Sequence, residues 1–459
     1  MPDNSQPILN PVLSLRREAR PEAITGGGKS AKHIRADRLP GQQVKLAMDC
    51  QSIIVASGRL PSFAGTLRLV ARMFPESLAA SFTPDNLLGR LTGCQLVVPV
   101  ADGYVFEATV DSLQKLIKTI QNPISIATRV DVSRVATIEP FGVTDVMRGR
   151  ELQALWDSAS QSEEGRLFIV WMAPFRSPTA RNALMTALAD LSDKHVLNST
   201  QPSVRLLLDA DPDGQRLVVQ QDADQASVPA VLRRYRNTGH GTASVAISSR
   251  DQLAQVIASG AVHRIEPVRR LVVTAAGEGP EPSKLPADLS REPIVGVIDG
   301  GLTANSYLPA EAWRAPPFVP NGKADHPHGN RVASLVVQGH AWNGNLSLPK
   351  LHCRVGTAQA VPKSDLAYPL NHERLVSYIH SVVVAHPETK VWNLSFNELE
   401  PVDINAVSYL GHSFARIARA NNVLFVISGG NSVNGSPTRI APPADCEAGI
   451  VVGHLPLLQ

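Results

Sequence analysis

Three side chains in the last third of this 459-residue sequence have the chemistry of a reaction site: Asp299, His328 and Asn431. Asp299 closes the run Ile294-Val295-Gly296-Val297-Ile298-Asp299 and is followed by Gly300-Gly301. His328 opens His328-Gly329-Asn330-Arg331-Val332-Ala333-Ser334, and Asn431 follows Ser428-Gly429-Gly430. An imidazole exchanges protons near neutral pH. An Asn amide after a glycine turn is free to donate a hydrogen bond into a cleft. Taken singly, Asp299 reads as a structural aspartate and His328 as a surface histidine at a helix start. Their case rests on the elements around them.

Residues 294–298 and 423–427 are apolar without alternation, the pattern of strands buried on both faces of a parallel sheet. Such sheets present their functional groups at the C-terminal strand ends, where Asp299 stands. Gly329, Ala333 and Ser334 are small, so a helix starting near His328 can pack closely on the sheet, its histidine toward the strand ends. The expected fold class for this part is α/β. Residues 294–299, 350–355, 390–395 and 423–428 are expected as neighbouring parallel strands with helices on both faces.

These segments resemble the subtilisin-like serine proteases, the subtilases. Asp299 in IVGVIDGG resembles the family's aspartate motif, and His328 in HGNRVAS its HGTxVAG histidine motif. Lys390-Val391-Trp392-Asn393-Leu394-Ser395-Phe396 resembles the strand ending in Ser-Leu-Gly that lines the substrate cleft. Ser428-Gly429-Gly430-Asn431 resembles the strand end carrying the oxyanion-hole Asn. Ile440-Ala441-Pro442-Pro443-Ala444 with Ile450-Val451-Val452-Gly453 resembles the stretch that follows it. The motifs stand in the family's order over about 290–459.

The resemblance implies a serine endopeptidase acting on protein or peptide substrates without a cofactor or metal. Asp299 and His328 would be catalytic, Asn431 would donate to the oxyanion, and Ser395, Phe396 and Gly429 would bind substrate. The sequence departs from the family in four ways. Asn330 and Arg331 replace the usual Thr or Ser and His, and Phe396-Asn397 replace Leu-Gly. The apolar ending GIVVGHLPLLQ reads as an incomplete domain. The family's nucleophile motif, Gly-Thr-Ser-x-Ala-x-Pro, does not occur, and Ser432 and Ser436 read as loop serines. The alternative function is a non-catalytic binding or scaffold protein on a decayed subtilase domain.

Ahead of this domain, residues 275–293, rich in Pro, Gly and charge, read as a linker. Residues 46–274 form an α+β region. Residues 94–109 read as a hairpin about Ala101-Asp102-Gly103, and 111–120 as a helix burying Leu113, Leu116, Ile117 and Ile120. Asp111-x-Leu113-x-x-Leu116-Ile117, leading to Ile138-Glu139-Pro140, is echoed by Asp251-x-Leu253-x-x-Val256-Ile257, leading to Ile265-Glu266-Pro267. Each copy reads as a strand–helix–strand unit, the building block of ferredoxin-like domains; ordinary amphipathic patterning is the competing reading. The region resembles the extra domain of large bacterial intracellular subtilases, which implies docking of a substrate or partner. Residues 1–45, with eight Lys/Arg against four Asp/Glu, read as a flexible basic tail.

Three motifs have plainer readings. Gly28-Lys29-Ser30 lacks the first glycine of a phosphate-binding loop. Asp209-x-Asp211-x-Asp213-Gly214 reads as a hairpin turn, since Gln220 replaces the glutamate of a calcium loop. His240-Gly241-Thr242 reads as a turn before a strand. A net charge of +3 gives no case for nucleic acid or an anionic membrane, and no apolar run approaches the ~18 residues of a membrane span. Four scattered cysteines without a signal peptide point to a reducing, cytoplasmic setting.

Overall fold

The computed structural model describes residues 28–193, 198–199, 234–273, 285, 288–342, 351–364, 370–403, 405–430 and 440–453. Among the described residues the chain forms a mixed α/β structure with two five-stranded antiparallel sheets, a two-stranded antiparallel sheet and one six-stranded parallel sheet.

The first body contains α1 (Leu39–Ala56), β1 (Ser62–Phe63), β2 (Thr66–Met73), β3 (Gln95–Val100), β4 (Gly103–Ala108), α2 (Val110–Gln121), α3 (Ile126–Arg134) and β5 (Val135–Pro140). The expected hairpin is β3–β4, and the expected helix is α2, capped by Thr109, whose Oγ1 accepts from the Ser112 amide at 3.2 Å. β2 lies between β4 and β5, antiparallel to both, so β4–α2–α3–β5 is a split strand–helix–strand unit.

Residues 28–45 correct the expectation of a free tail. The Lys29 ammonium donates to fully buried Asp131 at 2.6 Å and to Asp85 at 2.8 Å, and α1 starts at Leu39.

The second body contains α4 (Val143–Met147), α5 (Leu152–Asp157), β6 (Gln161–Ser162), β7 (Gly165–Met172), α6 (Pro178–Asp193), β8 (Asn198–Ser199), β9 (Thr242–Ile247), α7 (Arg250–Ala258) and β10 (Val262–Pro267). Here β7 lies between β9 and β10, antiparallel to both, so β9–α7–β10 repeats the split arrangement. The Asp209–Gly214 motif lies outside the described residues.

β11 (Leu271–Val272) follows β10 and ends the second body; the third body comes after it. Then come β12 (Ile294–Asp299), β13 (Glu311–Arg314), α8 (His326–Trp342), β14 (Arg354–Gln359), α9 (His372–Ala385), β15 (Val391–Leu394), β16 (Asn397–Glu398), α10 (Tyr409–Asn421), β17 (Leu424–Ser428) and β18 (Gly449–Val452). Its six-stranded sheet has the order β13-β14-β12-β15-β17-β18, and every neighbouring pair is parallel. Val297 and Val355 face Ala333 and Val337 of α8. Ile298, Leu394 and Phe425 face Leu375 and Ile379 of α9 and Phe414 of α10. The second expected strand, 350–355, is found at Arg354–Gln359.

The bodies are not beads on a linker. Along β7, Phe168 and Val170 join a core with Phe63, Val70 and the helices α6 and α7. Leu167 and Ile169, on the opposite face, join the core of the parallel-sheet body. β11 pairs antiparallel with β16, Leu271 opposite Glu398 and Val272 opposite Asn397. The end of the expected linker is also embedded: Leu289 is buried with Val297, Ala333 and Val337.

Candidate active site

β12, β15 and β17 run side by side and end at one edge. Ile298 pairs with Leu394, and Leu394 with Ile427, so the next residues, Asp299, Ser395 and Ser428, stand level on adjacent strands about 4.8 Å apart. This is the edge where parallel sheets place their functional groups.

Asp299 is fully buried there. Its main-chain carbonyl accepts from the amides of Ala360 at 2.7 Å and Val361 at 3.1 Å, just beyond β14. Its Oδ1 accepts from the Gly300 amide at 2.6 Å and lies 2.8 Å from His328 Nδ1. Oδ2 is buried without a partner among the described residues. His328 sits in the first turn of α8, its side chain 10% exposed. Gly329 is needed there, because a Cβ would overlap the Gly301 carbonyl.

With Nδ1–H donated to a carboxylate, the lone pair of Nε2 is left free. No hydrogen bond engages Nε2 among the described residues. Burial raises the Asp299 carboxyl above its ordinary value, and the His328 hydrogen bond and the Gly300 amide pull it back. Burial opposes a charged His328, but the hydrogen bond and charge of Asp299, helped by Asp325, carry its pKa above the ordinary value. This imidazole takes up a proton more readily than a free histidine.

Asp325, which the motifs did not single out, and Asn330, a departure within the histidine motif, hold the site. Asp325 caps α8, its Oδ1 accepting from the His328 amide at 3.1 Å. Asn330 Oδ1 accepts from the Thr303 amide at 2.8 Å and the Ala304 amide at 3.0 Å, tying α8 to the loop after β12. The signal for Asp325 was legible: an Asp just ahead of a helix is a capping residue.

The remaining expected site residues fare differently. Ser395 is half-buried at the shared edge, with Oγ donating to Asn393 Oδ1 at 2.7 Å. The Phe396 side chain cannot line a substrate pocket as expected: it is fully buried in the core beneath the sheet. The Gly429 amide donates to Val452 O at 2.7 Å, and its carbonyl accepts from the Ala441 amide at 3.1 Å, so both groups are engaged. Asn431, Ser432 and Ser436 lie outside the described residues. Among the described residues, no three His, Cys, Asp or Glu side chains converge as a metal site, and no helix is long and apolar enough to cross a membrane.

No protein-family model matches this chain, and no curated protein matches it. Among solved structures it is similar to the prenylagaramide maturation protease PagA, with 21% identity and a TM-score of 0.25 over 35% of this chain. The match spans about half of that protein, 52% of its length.

Proposed function

We propose that this chain carries the base half of a subtilisin-type serine endopeptidase. The observation that carries the reading is the 2.8 Å contact between His328 Nδ1 and Asp299 Oδ1 at the C-terminal edge of the parallel sheet. The five sequence motifs in the family's order support it. A serine hydroxyl is a poor nucleophile until a neighbouring base takes its proton. His328 Nε2 would take that proton and return it to the leaving amine, while Asp299 holds the tautomer and stabilises the imidazolium. Asn431 would donate to the oxyanion, a contribution of ~10²–10³ in rate as measured in this same family. The nucleophile would come from outside these 459 residues, because no Gly-Thr-Ser-x-Ala-x-Pro occurs within them.

The two split strand–helix–strand units fit a ferredoxin-like reading, and their surfaces away from the shared cores would serve substrate or partner docking. The free cysteines fit a cytoplasmic setting. The second reading is a non-catalytic binding or scaffold protein built on a decayed subtilase domain.

A serine-reactive fluorophosphonate separates the two. Residues 1–459 alone should stay unlabelled. A chain carrying a subtilase nucleophile segment, fused or added in trans, should label, and His328→Ala should abolish labelling. Labelling of 1–459 at Ser432 or Ser436 would show that the nucleophile was misplaced. No labelling with the segment present would favour the binding protein.

A further inference from the structure

We infer that Asp325 is the positioning residue of this site, fixing the His328 imidazole against Asp299 and setting a second negative charge beside it. The inference rests on His328 being the base of the proposed reaction.

Asp325 is bound to both elements that carry the pair. On the strand side, its amide donates to Val361 O at 3.1 Å, and the Val361 amide donates to Asp299 O at 3.1 Å. A Cβ on Gly300 would overlap the Asp325 carbonyl, so the main chains of the two aspartate segments lie in direct contact. On the helix side, Asp325 Oδ1 accepts from the His328 amide at 3.1 Å, and its carbonyl accepts from the Gly329 amide at 3.0 Å. One residue therefore sets the separation of β12 and the first turn of α8, across which the Asp299–His328 bond is made.

The charge has its own reason. A helix N-terminus carries partial positive charge and disfavours a cation. His328 stands in that first turn, an unfavourable place for a side chain that must become an imidazolium. A carboxylate at the cap cancels the field where it is strongest. The charged groups acting on His328 are Asp299 from the strand, Asp325 from the cap and Arg331 from α8 itself. The two aspartates favour the protonated ring, while Arg331 and burial oppose it. Without Asp325, one carboxylate would have to outweigh burial, Arg331 and the helix end.

The test is NMR titration of the His328 ring in the full chain, the resonance assigned by its loss in His328→Gln. Asp325→Asn and Asp325→Ser keep a capping oxygen and remove the charge. Both should retain the fold and lower the His328 pKa. Asp288→Asn, at an exposed aspartate whose partner is Ser290, should leave it unchanged. In a chain competent for fluorophosphonate labelling, the acid limb of the labelling rate should move to lower pH in Asp325→Asn. An unchanged His328 titration in both neutral-cap variants would overturn the inference, as would an equal drop in Asp288→Asn. The titration needs no turnover. A chain that never labels but titrates as stated sinks the peptidase reading alone.

Discussion

Glu398→Gln should stabilise this protein, and do so more as pH rises. Glu398 lies on β16 opposite Leu271 of β11, at the seam between the second body and the parallel-sheet body. It is 7% exposed, with the Arg269 guanidinium (Nη1) and the His372 ring (Nδ1) each at 3.6 Å. Burial, with Glu266, Asp445 and Glu400 nearby, pushes its carboxyl from 4.5 up to about 8 against the pull of Arg269. Between those two values the folded state holds a proton that the unfolded state has released, so stability falls as pH rises through the window. A rise from 4.5 to about 8 corresponds to about 5 kcal/mol in full, of which about 3 kcal/mol is already lost at pH 7. Glutamine has the same shape and no charge. The variant should match the wild type at pH 4.5, gain about 3 kcal/mol at pH 7, and raise the midpoint of the parallel-sheet body by ~6–12 °C. Thermal unfolding followed through Trp313 and Trp392 at pH 4.5, 7 and 8.5 reads this. Parallel wild-type and variant curves across those pH values would refute the reasoning.

The opposite limb belongs to His372, which burial pushes down to about 4: stability should fall as pH drops from 6.5 to about 4, and His372→Gln should flatten that limb in the same assay. Lys29→Ala leaves Asp131 buried without its cation and should cost about 3 kcal/mol in urea unfolding of the first body. Gly356→Ala drives a methyl group into the Trp313 indole and should cost ~1–3 kcal/mol, with altered Trp313 fluorescence. Phe414→Ala empties a fully buried site beside Phe425 and should cost ~3–5 kcal/mol by denaturant midpoint.

What the sequence made legible was local. Uninterrupted apolar runs located β12 and β17, and an i, i+3, i+7 stripe located α2, because a single element decides those patterns. β14 lies four residues beyond the start of the expected strand 350–355. The strand runs from Arg354 to Gln359 and contains Gly356, whose missing side chain admits Trp313. The joining of the bodies was hidden, because Leu167, Phe168, Ile169 and Val170 are all apolar. Only the pleat shows that alternate residues serve different cores. The direction of the Phe396 ring is hidden for a related reason: its place beside a cleft-like motif says nothing of which way the ring points. The Asp299–His328 pairing was legible through motif order, whereas the lattice of main-chain bonds through Val361 and Asp325 depends on a loop contact that no periodicity encodes.

The strand order carries a cost during synthesis. β12 is made before β14 and β15, yet it ends between them. Asp299 and Val391 are 92 residues apart (391 − 299). At ~5–20 residues per second, the ribosome needs roughly 5–20 s after finishing β12 to begin its second neighbour. Throughout that interval a nascent strand of Ile, Val and Gly has at least one open edge, the kind of template on which chains misassociate. The centre of the sheet is therefore its most vulnerable strand while the chain grows and its best-protected one once the chain has closed around it.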